Sequence, residues 1–259
     1  NGFPAGVYEP VLSELSQHFN VYAMNSRATW PKIGHPTHKN WQLYADDLIH
    51  FIEHHCQHPI IAVGHSLGAS STVLAAVKRP DLFKALVLIE PAMVNWPMKL
   101  LMKMTPMHFI KRIKLVSGTL NKREQWDNKD DYLAYIKRFK GFKKFNDKTF
   151  SAFEKHAIEK NQQGGFNLVY NNQWEATNYT QAPFLLGNLK KLSKLGLPTL
   201  AIGGASNMMF TKKLWNAWQV SQPQAVFKQD KNYGHLMPLE GPEDTASLIR
   251  QGLQEVLKT

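Results

Sequence analysis

Ser66 stands in the run AVGHSLGAS, residues 62–70, where a β-branched stretch ends in Gly64-His65-Ser66-Leu67-Gly68 and small helix-forming residues follow. This G-x-S-x-G spelling fits a sharp strand-to-helix turn that projects a serine hydroxyl above a sheet, flanking glycines removing Cβ atoms that would collide there. The chemistry on offer is nucleophilic attack on a carbonyl. A serine hydroxyl is a weak nucleophile and needs a base within hydrogen-bond reach. His235, in NYGHLMPLEGPE, falls between the last expected strand and the last expected helix and is the candidate base. The oxyanion formed on attack needs two backbone donors, one from the residue after the serine, Leu67, and one from an earlier loop. NGFPAG at residues 1–6 suits that loop, with Gly2 permitting close approach and Phe3 donating its amide.

Such residues act together only if regular elements bring them to one edge. In YEPVLSELSQHF, Val11, Leu12, Leu15 and Phe19 recur at helical spacing, and NVYAM, residues 20–24, is an apolar run of strand length. WQLYADDLIHFIEHHC predicts a helix, PIIAVG a strand, LGASSTVLAAVKRP a helix stopped by Pro80, and KALVLI another strand. Helices alternating with near-continuous apolar strands predict a parallel sheet covered on both faces. After Glu90 the rhythm fails, and residues 91–183 predict a helical insertion without a convincing buried strand. LGLPTLAIGG then restores a strand, TKKLWNAWQV a helix, QAVFKQ a strand and EDTASLIRQGLQEVLK a closing helix.

NGFPAG, GHSLG and GHLMPLEGPE, in that order and at these separations, resemble the α/β-hydrolase superfamily, in particular esterase-like serine hydrolases with a helical cap after the sixth strand. The resemblance implies an α/β-hydrolase fold, with a core formed by residues 1–90 and 184–259 and a cap at 91–183. It also implies that NGFPAG follows a third strand, so that two or three strands belong before Asn1. The function expected is cofactor-independent cleavage of a carboxylic ester with an apolar acyl group, through an acyl-enzyme on Ser66. Two alternatives stay open. One is a thioesterase for coenzyme A or an acyl carrier, docking an acidic carrier protein through the basic cap. The other is a catalytically impaired hydrolase fold used as a binding module.

The impaired reading arises at the acid. The family places an Asp or Glu after the seventh strand, where LAIGGASNMMF has Asn207. An amide can orient an imidazole but cannot stabilise the imidazolium by charge, and that change costs on the order of 10⁴ in kcat in a serine protease. An asparagine introduced to trap a substrate is a further reading of the same position. Glu90, in LVLIEPAM at the end of the sixth strand, is the alternative acid, a location from which some relatives, including certain haloalkane dehalogenases, draw theirs. Glu90 is expected to orient His235, with Asn207 as a helper; a structural role for Glu90, pairing a base or capping a loop, competes with this.

Other features have bland readings that outweigh sharp ones. His50 to His54, HFIEH, match an inverted zinc-protease spelling with His55 and His58 beside them, but a sheet-flanking helix commonly solvates that face, and no metal site is expected. KRFKGFKKF mixes basic and aromatic residues without a nucleic-acid-binding fold around it. GGFNL lacks the context of a phosphate loop. MKLLMKMTPMHFIKRIKLV, residues 98–116, reads as a membrane-surface helix or, preferably, as cap with its apolar side over an acyl pocket and Pro106 breaking it midway. Across 259 residues the net charge is +11, of which 91–183 hold sixteen Lys/Arg against eight Asp/Glu. That imbalance admits an acidic partner. The hydrophobic fraction of 43% suits a globular chain, and no apolar run approaches the roughly 18 residues of a membrane span. The one cysteine, Cys56, cannot form an internal disulfide, which fits a reducing, cytoplasmic location.

Overall fold

The computed structural model describes residues 1–259 except 58, 106, 111, 208 and 259, and except the side chains of 98, 102, 103, 107 and 108. The readings placed on His58 and on Pro106 as a helix break therefore lie outside the described residues. The helices are α1 (Glu9–Ser16), α2 (Gln42–His55), α3 (Leu67–Lys78), α4 (Trp96–Met104), α5 (Met107–Ile110), α6 (Lys114–Leu120), α7 (Lys129–Ile136), α8 (Asp147–His156), α9 (Asn172–Thr180), α10 (Leu186–Lys194), α11 (Lys212–Ser221), α12 (Met237–Glu240) and α13 (Pro242–Val256). The strands are β1 (Ile60–His65), β2 (Phe83–Ile89), β3 (Gln125–Trp126), β4 (Ile158–Lys160), β5 (Phe166–Leu168), β6 (Thr199–Gly203) and β7 (Val226–Gln229).

The main sheet is parallel, in the order β1-β2-β6-β7. Along β2 successive side chains alternate between two buried clusters, Leu86 and Leu88 on one side and Ala85, Val87 and Ile89 on the other. Helices α2, α3, α10 and α11 close the first face, and α1 and α13 the second. Burial on both faces is why these strands read as continuous apolar runs. Register then sets the site: His65 lies opposite Ile89, and Ile89 opposite Ile202. The residues that leave β1, β2 and β6, namely Ser66, Glu90 and Gly204, consequently emerge close together at the carboxyl edge of the sheet.

Two expectations differ from what is seen. NVYAM forms no strand: residues 21–26 lie outside regular structure. Residues 20–24 and Ser26, with the edge of β1, line a cavity of about 1010 Å³, and no described strand pairs with this segment to complete its backbone hydrogen bonds, which a strand requires. Residues 91–183, expected as a helical insertion without a convincing buried strand, also hold a small antiparallel sheet, β3-β5-β4, whose strands of two and three residues are too short to leave a periodicity. An aromatic cluster around Trp126, Tyr132, Phe145 and Phe153 packs beside it and takes in Val7 and Leu239 from outside the segment.

Candidate active site

Ser66 is the N-cap of α3 and has φ 53° and ψ −115°, a conformation rare for a residue with a Cβ. The strain is held by neighbours: the Ser66 amide donates to Ile89 O at 3.0 Å and the Ser66 carbonyl accepts from Ala92 N at 3.1 Å. A Cβ on Gly64 would stand 2.6 Å from the backbone of Ala69, so the glycine before the serine is required by the turn. Gly68 is different. A Cβ there meets nothing within 4 Å, and the expectation that both flanking glycines avoid a collision is corrected for that position.

Glu90 leaves β2 with φ 40°, so two of the three non-glycine residues of positive φ among the described residues, Ser66 and Glu90, adjoin each other across this edge. Backbone strain of this kind costs about 1–3 kcal/mol per residue and persists where surroundings overdetermine it. The surroundings here are hydrogen bonds. Glu90 is 1% exposed, and its carboxylate accepts from Gly204 N at 2.8 Å, from Asn207 Nδ2 at 3.1 Å and from His235 Nδ1 at 2.7 Å. With Nδ1–H committed to Glu90, His235 Nε2 is the ring's acceptor, and it lies 3.1 Å from Ser66 Oγ. The result is a continuous chain from carboxylate through imidazole to hydroxyl.

Asn207 is thus placed behind Glu90. Its Nδ2 donates to the carboxylate and to Ala205 O, while its Oδ1 accepts from the amides of Met209 and Phe210. An asparagine suits this place better than an aspartate, because a second carboxylate would set two like charges about 3 Å apart.

Two residues that motif reading passed over hold the histidine loop. His65, half-buried beside the serine, takes a hydrogen bond from the Tyr8 hydroxyl on Nδ1 at 2.8 Å and donates from Nε2 to the carbonyl of His235 at 2.7 Å. Burial, together with the nearby His235, holds the His65 pKa well below 6.5, and burial raises that of Tyr8, so both stay neutral. The sequence carries no signal for this pair, since the second position of G-x-S-x-G admits any residue. The loop after β7 is further fixed by the Gly234 amide, which donates to Glu240 Oε2 at 2.6 Å.

Leu67 opens α3, so its amide has no acceptor within the helix. Phe3 follows Gly2, whose φ of 86° and whose place against the Glu175 carboxylate both exclude a side chain. The loop is anchored to α9 through Asn1, which donates to Glu175 O at 3.1 Å and accepts from Asn178 Nδ2 at 2.8 Å. The Phe3 ring packs on Phe142 and Phe153, with centroids 6.0 and 5.4 Å away. The cavity beside β1 is lined by Phe3 and Leu67 but not by Ser66, Glu90 or His235, so it is not where these three groups converge. His50 and His54 stack on one face of α2, and among the described residues no group of three or more His, Cys, Asp and Glu could hold a metal.

A parallel α/β sheet with a strained serine between a strand and a helix, backed by a histidine and a buried carboxylate, defines a class of fold and site found at the carboxyl ends of such sheets. The family model for the alpha/beta hydrolase fold matches residues 1–242, and the chain belongs to the alpha/beta hydrolase family and is a hydrolase. Among curated proteins it is similar to Abhydrolase domain-containing protein ACTT2 of Alternaria alternata, 24% identical over 227 residues that cover 74% of this chain and 82% of that one. Among solved structures it resembles E-2-(acetamidomethylene)succinate hydrolase, with a TM-score of 0.73 and 18% identity over 98% of this chain and 88% of that one. It also resembles a marine microorganism esterase, with a TM-score of 0.67 and 16% identity over 97% and 91%. Among the described residues no helix is long and apolar enough to cross a membrane.

Proposed function

We propose that this protein cleaves a carboxylic ester with an apolar acyl group, without a cofactor, through an acyl-enzyme on Ser66. The observation that carries the reading is the chain Glu90–His235–Ser66, with steps of 2.7 and 3.1 Å. His235 Nε2 takes the hydroxyl proton as Ser66 Oγ attacks the carbonyl carbon, and the amides of Phe3 and Leu67 hold the oxyanion. Glu90 stabilises the imidazolium, and Asn207 and Gly204 keep its carboxylate aimed. His235 returns the proton to the departing alkoxide; water, activated by the same nitrogen, then attacks the acyl carbon and releases the acid. Residues 91–183, with their own aromatic cluster, are read as a cap on a core of residues 1–90 and 184–259.

The test is turnover of nitrophenyl esters of increasing acyl length. The expected result is hydrolysis that vanishes in Ser66→Ala and a single fluorophosphonate adduct on Ser66. Folded protein with neither turnover nor adduct would sink the esterase reading and favour a binding module. A thioester would follow the same steps, and a KM that rises with salt only for carrier-bound substrate would move the assignment there.

A further inference from the structure

We propose that the described exposed side chains between Trp96 and Leu115 form a docking surface for an anionic lipid bilayer, on which the protein lies peripherally. The surface joins two properties that seldom occur together on a solvated face. The first is charge of a single sign: from Pro91 to Arg123 the chain has Lys99, Lys103, Lys111, Arg112, Lys114, Lys122 and Arg123 and no Asp or Glu. Lys99, Arg112 and Lys114 are exposed, and none of the three forms a salt bridge with a carboxylate among the described residues. The second is apolar exposure. Trp96, Leu101 and Met104 on α4 are 59%, 60% and 73% exposed, and Phe109, Ile113 and Leu115 follow at 51%, 45% and 47%. None of these described side chains lines the cavity beside β1.

The two properties together select the occupant. A bilayer interface offers an anionic plane to the lysines and arginines and, within a few ångströms, an apolar layer to the Trp, Leu, Met and Phe side chains. An acidic soluble protein would satisfy the charge and leave the apolar groups in water. A second copy of this chain would set the same cations against one another. The nine residues of α4 span about 14 Å, less than half of a hydrocarbon core, so the segment lies along the surface.

The experiment is cosedimentation of the whole protein with phosphatidylcholine vesicles, with and without phosphatidylglycerol. Binding to the anionic vesicles alone is expected, and it should fall away as salt is raised from about 0.1 M to about 1 M, where the screening length shrinks from about 10 Å to about 3 Å. Lys99→Ser with Lys114→Ser should weaken partitioning by about tenfold or more. Leu101→Glu with Met104→Glu should weaken it at least as much, with an unchanged melting temperature to show that the variant is folded. No binding to either vesicle overturns the proposal. So does binding that survives Leu101→Glu with Met104→Glu, which would mark a purely ionic contact of the kind an acidic protein makes. Self-association abolished by the same pair, with no vesicle binding, would assign the face to a second copy instead.

Discussion

At the carboxyl edge of the main sheet the Glu90 carboxylate is fully enclosed and every donor around it is committed, whereas along 96–115 Lys99, Arg112 and Lys114 stand in solvent without an acidic partner among the described residues. The apolar groups follow the same division. Ile89 and Ile202, beside Ser66 and Glu90, are buried in the sheet, while Trp96, Leu101 and Met104 are not. A charge removed from water must be matched within the protein, so the edge is rigid and self-sufficient. Unmatched charge and uncovered apolar surface are what a face looks like when its complement lies outside the chain.

The sharpest way to break the comparison is at the edge itself. Ser66→Ala should lower kcat by about 10⁶, as loss of the nucleophile does in a serine protease, with no change in melting temperature beyond a degree or two. Glu90→Gln should cost about 10⁴ in kcat, because an amide holds His235 without stabilising its charged form. A loss below about tenfold would remove Glu90 from its proposed role. Asn207→Asp is the more telling companion. If Asn207 serves only to hold Glu90, an aspartate there adds a like charge beside Glu90 and should lower kcat/KM by about tenfold. Higher activity in that variant would mean that position 207 is the better acid.

Packing around the turn gives the next contrast. Gly64→Ala forces a Cβ to within 2.6 Å of the Ala69 backbone and should destabilise the fold by about 3 kcal/mol or more in urea denaturation. Gly68→Ala, with open space at that position, should stabilise by up to about 1 kcal/mol through helix propensity.

The smallest effect concerns His65. Its folded pKa is depressed below 6.5 by burial, so below that pH the unfolded chain takes up a proton that the folded chain refuses. The contribution to stability is therefore complete above 6.5 and is lost as pH falls toward the folded value, at a slope of up to about 1.4 kcal/mol per pH unit. Urea melts of wild type and His65→Gln across that range should show the slope reduced in the variant.

Much of this was legible before any coordinates. Every long element with strong periodicity is present within a few residues of its expected bounds, from α2 through β1, α3 and β2 to α13. Local pattern suffices for these, because an apolar face of period 3.6 or a doubly buried strand is a property of consecutive residues. Ser66 and His235 were marked by motif and position for the same reason. NVYAM, by contrast, has strand-forming residues and no strand, because pairing is a property of two segments and no described strand pairs with it.

The sequence by itself determined the order of elements, the serine turn and the uninterrupted cationic run of 91–123. Only the tertiary structure decided which of Glu90 and Asn207 meets His235. Both stand at strand ends with side chains able to reach a histidine, and the choice depended on which atoms meet. The register of β2 between β1 and β6 sets the Glu90 carboxylate against His235 and leaves Asn207 to hold it from behind. The same holds for Tyr8 and His65, 57 residues apart, joined by a hydrogen bond that no local pattern encodes. Distances between residues remote in the chain are fixed by how sheets and helices stack, and stacking is the sum of contacts over the whole core.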